Sequence, residues 1–218
     1  TGYNWIAITA LSKSDVSLFP CFFINTDGDD WPAEERSIKV KDWLREEKFE
    51  RIGSFKANIV STVYLRSIVY QSIDKSTRIQ ILFVPSRYGR FKSYYTIRTR
   101  THEGKFIVTD NLFLPYGGYY PNTWIISRKT LVSSLKRLFM YHEKCLKKLN
   151  ITPVKIGSGA LEDINKQQHN LEVLNIKNGF LVPLTKQREE GKITLDGRYR
   201  LWKEMWFLAY FAKTVKNN

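Results

Sequence analysis

The residues best suited to chemistry are cationic and lie close together. Arg78, Arg87, Arg90, Lys92, Arg98 and Arg100 follow one another within a short stretch, with Tyr88 and Tyr94 interleaved. Guanidinium forks match the oxygens of phosphate and carboxylate, and an adjacent aromatic ring can stack a base or sit at a lipid interface. Side chains alternate across a strand. Lys92, Tyr94, Thr96, Arg98 and Arg100 therefore share one face while Phe91, Tyr95 and Ile97 share the other, and upstream Arg78 and Gln80 oppose Ile79, Ile81 and Phe83. If a hairpin aligns these faces, Arg78, Lys92, Tyr94, Arg98 and Arg100 form a polyanion-binding surface, extended by Arg87, Tyr88 and Arg90 in the turn. The same alternation describes a sheet face that arginine merely keeps soluble, and both readings stay open. A second basic group, Lys136, Arg137, Lys144, Lys147 and Lys148, lies along a helical pattern. It suits a helix lying on an anionic membrane, and equally a surface helix packed on a core.

Other chemistries find little footing, and the expectation is no metal site, no cofactor and no catalytic residue. His142 and Cys145 sit three apart on one helical pattern, but zinc needs three or four ligands and no second pair is visible. A cysteine nucleophile needs a thiolate beside an imidazole, whereas Cys145 lies inside a helical run and Cys21 adjoins Pro20 in a strand-like one. Gly157-Ser158-Gly159 lacks the lysine of a phosphate loop and reads as a hinge. Asn25 to Asp30 resembles part of a calcium loop, but its glutamates, Glu34 and Glu35, come too early, leaving a solvated turn. The paired carboxylates Glu34-Glu35, Glu46-Glu47 and Glu189-Glu190 adjoin basic residues in polar stretches, the pattern of a wet surface.

The elements that must position these residues follow from periodicity. Trp5–Leu11 and Leu18–Ile24 read as two short apolar strands. Residues 38–50 suggest an amphipathic helix. Strands are then predicted over 59–73, 77–84, 91–101 and 105–114, joined by turns at Asp74-Lys75-Ser76, Pro85–Arg90 and His102-Glu103-Gly104, which gives an antiparallel four-stranded meander. Between Lys129 and Leu149, the residues Leu131, Leu135, Leu138, His142, Cys145 and Leu149 mark one helical face. A further helix carries Leu161, Ile164, Leu171 and Leu174 and ends at Gly179 as a left-handed cap. The last helix starts near Asp196 with Tyr199, Trp202, Met205, Trp206 and Tyr210 expected on its buried side.

Composition bounds the rest. The 218 residues are 43% hydrophobic, which supports a packed core, and 35 Lys and Arg against 21 Asp and Glu give a net charge of +14. Such an excess attracts polyanions. The two cysteines are expected as buried free thiols, and no apolar run is long enough to cross a bilayer. The sequence starts at Thr1 rather than at methionine, so the expectation includes a segment upstream, such as a membrane anchor.

From Leu44 to Asn111 the order is helix, Phe49, Gly53, strand, Tyr70-Gln71-Ser72, strand ending in Pro85, Gly89, and finally Gly104-Lys105-Phe106-Ile107-Val108-Thr109-Asp110-Asn111. This resembles uncharacterised bacterial domains, often attached to membrane helices, that share a Phe-x-x-x-Gly start and a closing Gly-x-x-x-x-Thr-x-Asn strand. The resemblance implies no activity, and favours a membrane anchor as the segment upstream of Thr1; the expected location is the cytoplasmic side of that membrane.

The chain is thus expected to be α+β: an antiparallel meander of four or more strands packed against three to four helices. It would form one domain over 1–218, with a helical C-terminal appendage over 160–218 as the alternative. Its expected role is that of a non-enzymatic binding or regulatory domain contacting an anionic membrane surface or an acidic protein. The competing classes are a nucleic-acid-binding protein using the arginine-rich face, and an enzyme whose site assembles from Tyr116–Tyr120 with His102 or Asp110.

Overall fold

The computed structural model describes residues 2–28, 31–60, 63–86, 91–157 and 159–213. They form two compact units: a sheet unit of residues 21–112 and 122–165, and a helical unit of residues 1–20, 113–121 and 166–218.

The sheet unit contains β1 (Phe22–Ile24), α2 (Glu35–Glu46), β2 (Glu50–Val60), β3 (Val63–Gln71), β4 (Thr77–Pro85), β5 (Phe91–Thr101), β6 (Phe106–Asp110), β7 (Trp124–Arg128), α3 (Leu135–Lys148) and β8 (Pro153–Val154). The strands lie in the order β1 to β7, and β8 pairs with the end of β5. The expected meander is present as β3–β6, all antiparallel. β7 joins parallel to β6. β2 instead fills the stretch between the helix expected to end at residue 50 and the strand expected to begin at Ile59. It pairs with β3 through two register shifts, one of them between Arg51 and Gly53. At Gly53 the Phe55 ring folds back so closely that a Cβ would lie 2.2 Å from it.

Both faces of the sheet are covered. On one, Val40, Trp43 and Leu44 of α2 and Leu135 and Leu138 of α3 pack on Ile68, Ile79, Ile81, Phe83, Tyr95 and Ile97. On the other, Phe22, Phe55, Ala57 and Val69 meet Ala160 and Ile164 from the start of α4 (Ala160–Lys177). α3 begins after Ser134, whose hydroxyl accepts the Arg137 N–H. Leu131 therefore lies before the helix and Leu149 at its end, and both are exposed rather than buried as expected.

The helical unit contains α1 (Gly2–Lys13), residues 166–177 of α4, the short α5 (Gln187–Glu190) and α6 (Leu195–Phe211). The stretch Trp5–Leu11 is thus helical, not a strand. Its apolar residues surround the helix on every side, so the sequence offers no 3.6-residue period to recognise. Ile8, Phe180, Leu181, Ile193 and Leu201 form the core of this unit. Gly179 ends α4 at φ 75, as the sequence predicted. α6 presents Gly197, Leu201, Glu204 and Leu208 inward, and the expected buried residues Tyr199 and Tyr210 are exposed. Among the described residues no helix is long and apolar enough to cross a membrane.

Candidate functional site

The β4–β5 register bears out one half of the expected geometry. Arg78 lies opposite Arg98, Gln80 opposite Thr96, Leu82 opposite Tyr94 and Val84 opposite Lys92, so the cationic residues do share a face. The other half fails, because that face is the one covered by the start of α4. Asp163 in its first turn accepts from Arg78 Nη1 at 2.9 Å and from Arg98 Nη2, and the two side chains are only 5% and 11% exposed. Two like charges directly opposite on neighbouring strands repel, and taking both out of water adds a desolvation cost that a shared carboxylate offsets. Burial accordingly pulls the Arg98 guanidinium below its ordinary value despite Asp163 beside it, and the guanidinium also lies over the Phe106 ring at 4.9 Å.

Tyr94 is buried too, and that burial pushes its phenol up. Lys92 and Arg100 reach solvent, but near opposite ends of β5, about 26 Å apart along the strand. Arg87, Tyr88 and Arg90 lie outside the described residues, as do Asp29 and Asp30 of the acidic turn and Ser158 of the glycine hinge. Of the cations expected on this face, Arg78 and Arg98 therefore serve an internal ion cluster with Asp163.

His142 is fully buried, and both ring nitrogens are engaged: Nε2 with the Thr99 hydroxyl and Nδ1 with the Thr109 hydroxyl, each at 2.9 Å. Burial lowers its pKa to about 4. Both cysteines are free thiols, but neither is buried as expected: Cys21 is exposed and Cys145 half-buried. Among the described residues no cluster of His, Cys, Asp or Glu could hold a metal ion.

The closing Gly-x-x-x-x-Thr-x-Asn strand is spent on structure. Thr109 holds His142, and the Asn111 side chain accepts the Tyr95 N–H at 2.7 Å while donating to the Val132 carbonyl at 2.8 Å. Between them, Asp110 takes a two-pronged pair from Arg128 across the parallel β6–β7 register. The glycine pair at 117–118 has a similar role in the helical unit. A Cβ on Gly118 would lie 2.4 Å from Asn175 Oδ1, the atom that accepts the Tyr119 N–H, and one on Gly117 would lie 2.5 Å from the Leu201 backbone.

Among the described residues, an exposed cationic face is found on α3. Leu135, Leu138 and His142 point inward. Lys136, Arg137, Met140, Tyr141, Lys144, Lys147 and Lys148 are exposed on the remaining sides, with Glu143 the one carboxylate on the helix. Among the described residues none of these five cations is ion-paired. Lys129 adds a sixth charge over the Tyr141 ring at 5.4 Å. On α2, by contrast, Lys39 pairs with Glu35 and Arg45 with Asp42, so part of that helix's positive charge is compensated on the helix itself. The helical unit also has an apolar pocket of about 240 Å³, open to one side, between Ile8, Phe19, Tyr116, Phe180, Leu201 and Met205. Comparison with protein families, with curated proteins and with solved structures finds no match to this chain.

Proposed function

We propose that the protein is a non-catalytic binding module that docks on a polyanionic surface, foremost the anionic cytoplasmic leaflet of a membrane, through the outer face of α3. One observation carries this reading: five cations without ion-pair partners among the described residues stand on a single helix, with Met140 and Tyr141 exposed between them. Unpaired cations keep their full attraction for an external anion, whereas paired ones have already given most of it up. Each lysine or arginine near an anionic leaflet contributes about 1 kcal/mol, an attraction that fades within a Debye length. The proposed site thus differs from the sheet face that the sequence suggested, while the class of ligand is the same.

The test is co-sedimentation with vesicles of phosphatidylcholine and phosphatidylserine over a salt series, beside an oligonucleotide titration in the same buffers. Lys144→Glu with Lys148→Glu should weaken vesicle binding by at least about tenfold at low salt. Undiminished binding by this variant would exclude the α3 face. Tighter, equally salt-dependent binding to the oligonucleotide would move the reading to nucleic acid, for which Tyr141 amid lysines supplies a stacking platform.

A further inference from the structure

The α1–α6 pair carries a second surface, independent of the α3 face. Ser12, near the end of α1, accepts the Ile193 N–H just ahead of α6 at 3.0 Å, and Ile8, one turn earlier in α1, shares a core cluster with Leu201, further along α6. The helices are therefore antiparallel, which brings the start of α1 to the finish of α6. That end is apolar and wet: Tyr3 is 81% exposed, Ile6 68%, Tyr210 69% and Phe211 53%. The rings are ordered by one another, with Trp206 5.0 Å from Tyr210 and 5.6 Å from Phe211, and Phe207 5.7 Å from Phe211. They form an aromatic tip at the end of α6.

Charge selects the occupant. α1 has no acidic residue at all, and α6 has none after Glu204, which is buried, while Lys203 and Lys213 flank the aromatic cluster and are exposed. Tryptophan and tyrosine beside lysine, without carboxylates, suit the boundary between lipid headgroups and acyl chains, where the ring bodies leave water and the cations stay at headgroup level. We propose that this end of the α1–α6 pair inserts into that boundary of a lipid bilayer. Neither helix needs to span the bilayer. The tip supplies a salt-resistant, apolar contribution to binding, distinct from the electrostatic one of α3.

Vesicles of phosphatidylcholine alone separate the two contributions, because they carry no net charge. The wild-type protein is expected to partition onto them with a blue shift of tryptophan emission. Tyr210→Ser with Phe211→Ser should reduce that partition by roughly tenfold, and Tyr3→Ser with Ile6→Ser gives a second reading at the same tip should the first variant misfold by circular dichroism. Lys144→Glu with Lys148→Glu should leave it unchanged, so failure of the α3 proposal and failure of this one are told apart. Absence of partition onto phosphatidylcholine, or partition unaffected by both tip variants, overturns the proposal. So does a dimer in light scattering that the tip variants dissolve, which would make this surface a contact between copies of the chain.

Discussion

At the scale of residues, the same chemistry reads differently once its neighbours are known. Strand alternation alone places Arg78 and Arg98 on one face, and the observed register agrees. Nothing local announces Asp163, which lies 65 residues beyond Arg98 and reads in sequence as an ordinary acid in the first turn of a helix. A helix start docking on a sheet is a long-range event, so it is invisible to periodicity. His142 shows the complementary case: its spacing from Leu135 and Leu138 marks it as inward-facing, and the fold then satisfies both nitrogens with threonines. That burial has a pH consequence. The folded value of about 4 lies below the ordinary 6.5, so between those limits the unfolded chain binds the extra proton and the folded one does not. The stability tied to the neutral ring is complete above about pH 6.5 and is lost as pH falls toward 4, amounting to roughly 3 kcal/mol. Urea unfolding at several pH values should show this loss, and His142→Gln should flatten the curve across that window. An unchanged pH profile in the variant would contradict the assignment.

Elements were legible where one face alone is apolar. The meander β3–β6, α3 and α4 were recognisable because alternation, or a spacing of three and four, was clear against polar neighbours. α1 and α6 were harder, being apolar around much of their circumference. In α6 the inward stripe includes Gly197 and Glu204, two residues that a hydrophobic pattern skips, so the aromatic residues beside them looked like the core. Gly197 is inward for a reason of space: a Cβ there would lie 2.3 Å from the Phe180 carbonyl oxygen and 2.8 Å from an Ile193 methyl. The Gly197 N–H also meets the Thr194 hydroxyl that caps the helix, at 3.0 Å. Helix propensity taken alone favours alanine over glycine by about 1 kcal/mol. Against this, overpacking costs about 1–3 kcal/mol, and the obstruction here is partly backbone, which cannot rotate away. Gly197→Ala should therefore destabilise the protein, with a lower urea midpoint. A raised midpoint would show that the helix start can shift away from residue 180.

For the molecule as a whole, the excess of positive charge was evident from composition, whereas its useful location was not, since pairing decides which cations remain available. The buried pairs of Arg78 and Arg98 with Asp163, and of Arg128 with Asp110, are shielded from dissolved salt. The exposed pairs, such as Lys39 with Glu35 and Lys105 with Glu103, contribute little to stability. What salt chiefly acts on is the uncompensated remainder of the net +14, concentrated on surfaces such as the outer face of α3. In the free protein that remainder repels itself and opposes the compact state. On an anionic vesicle the same charges attract. Raising sodium chloride from about 0.02 M to about 0.3 M shortens the screening length severalfold, so it should raise the melting temperature of the free protein while lowering its affinity for phosphatidylserine vesicles. Lys144→Glu with Lys148→Glu should diminish both responses. If salt lowers the melting temperature instead, exposed ion pairs outweigh self-repulsion, and the cations on α3 are compensated by carboxylates in solution.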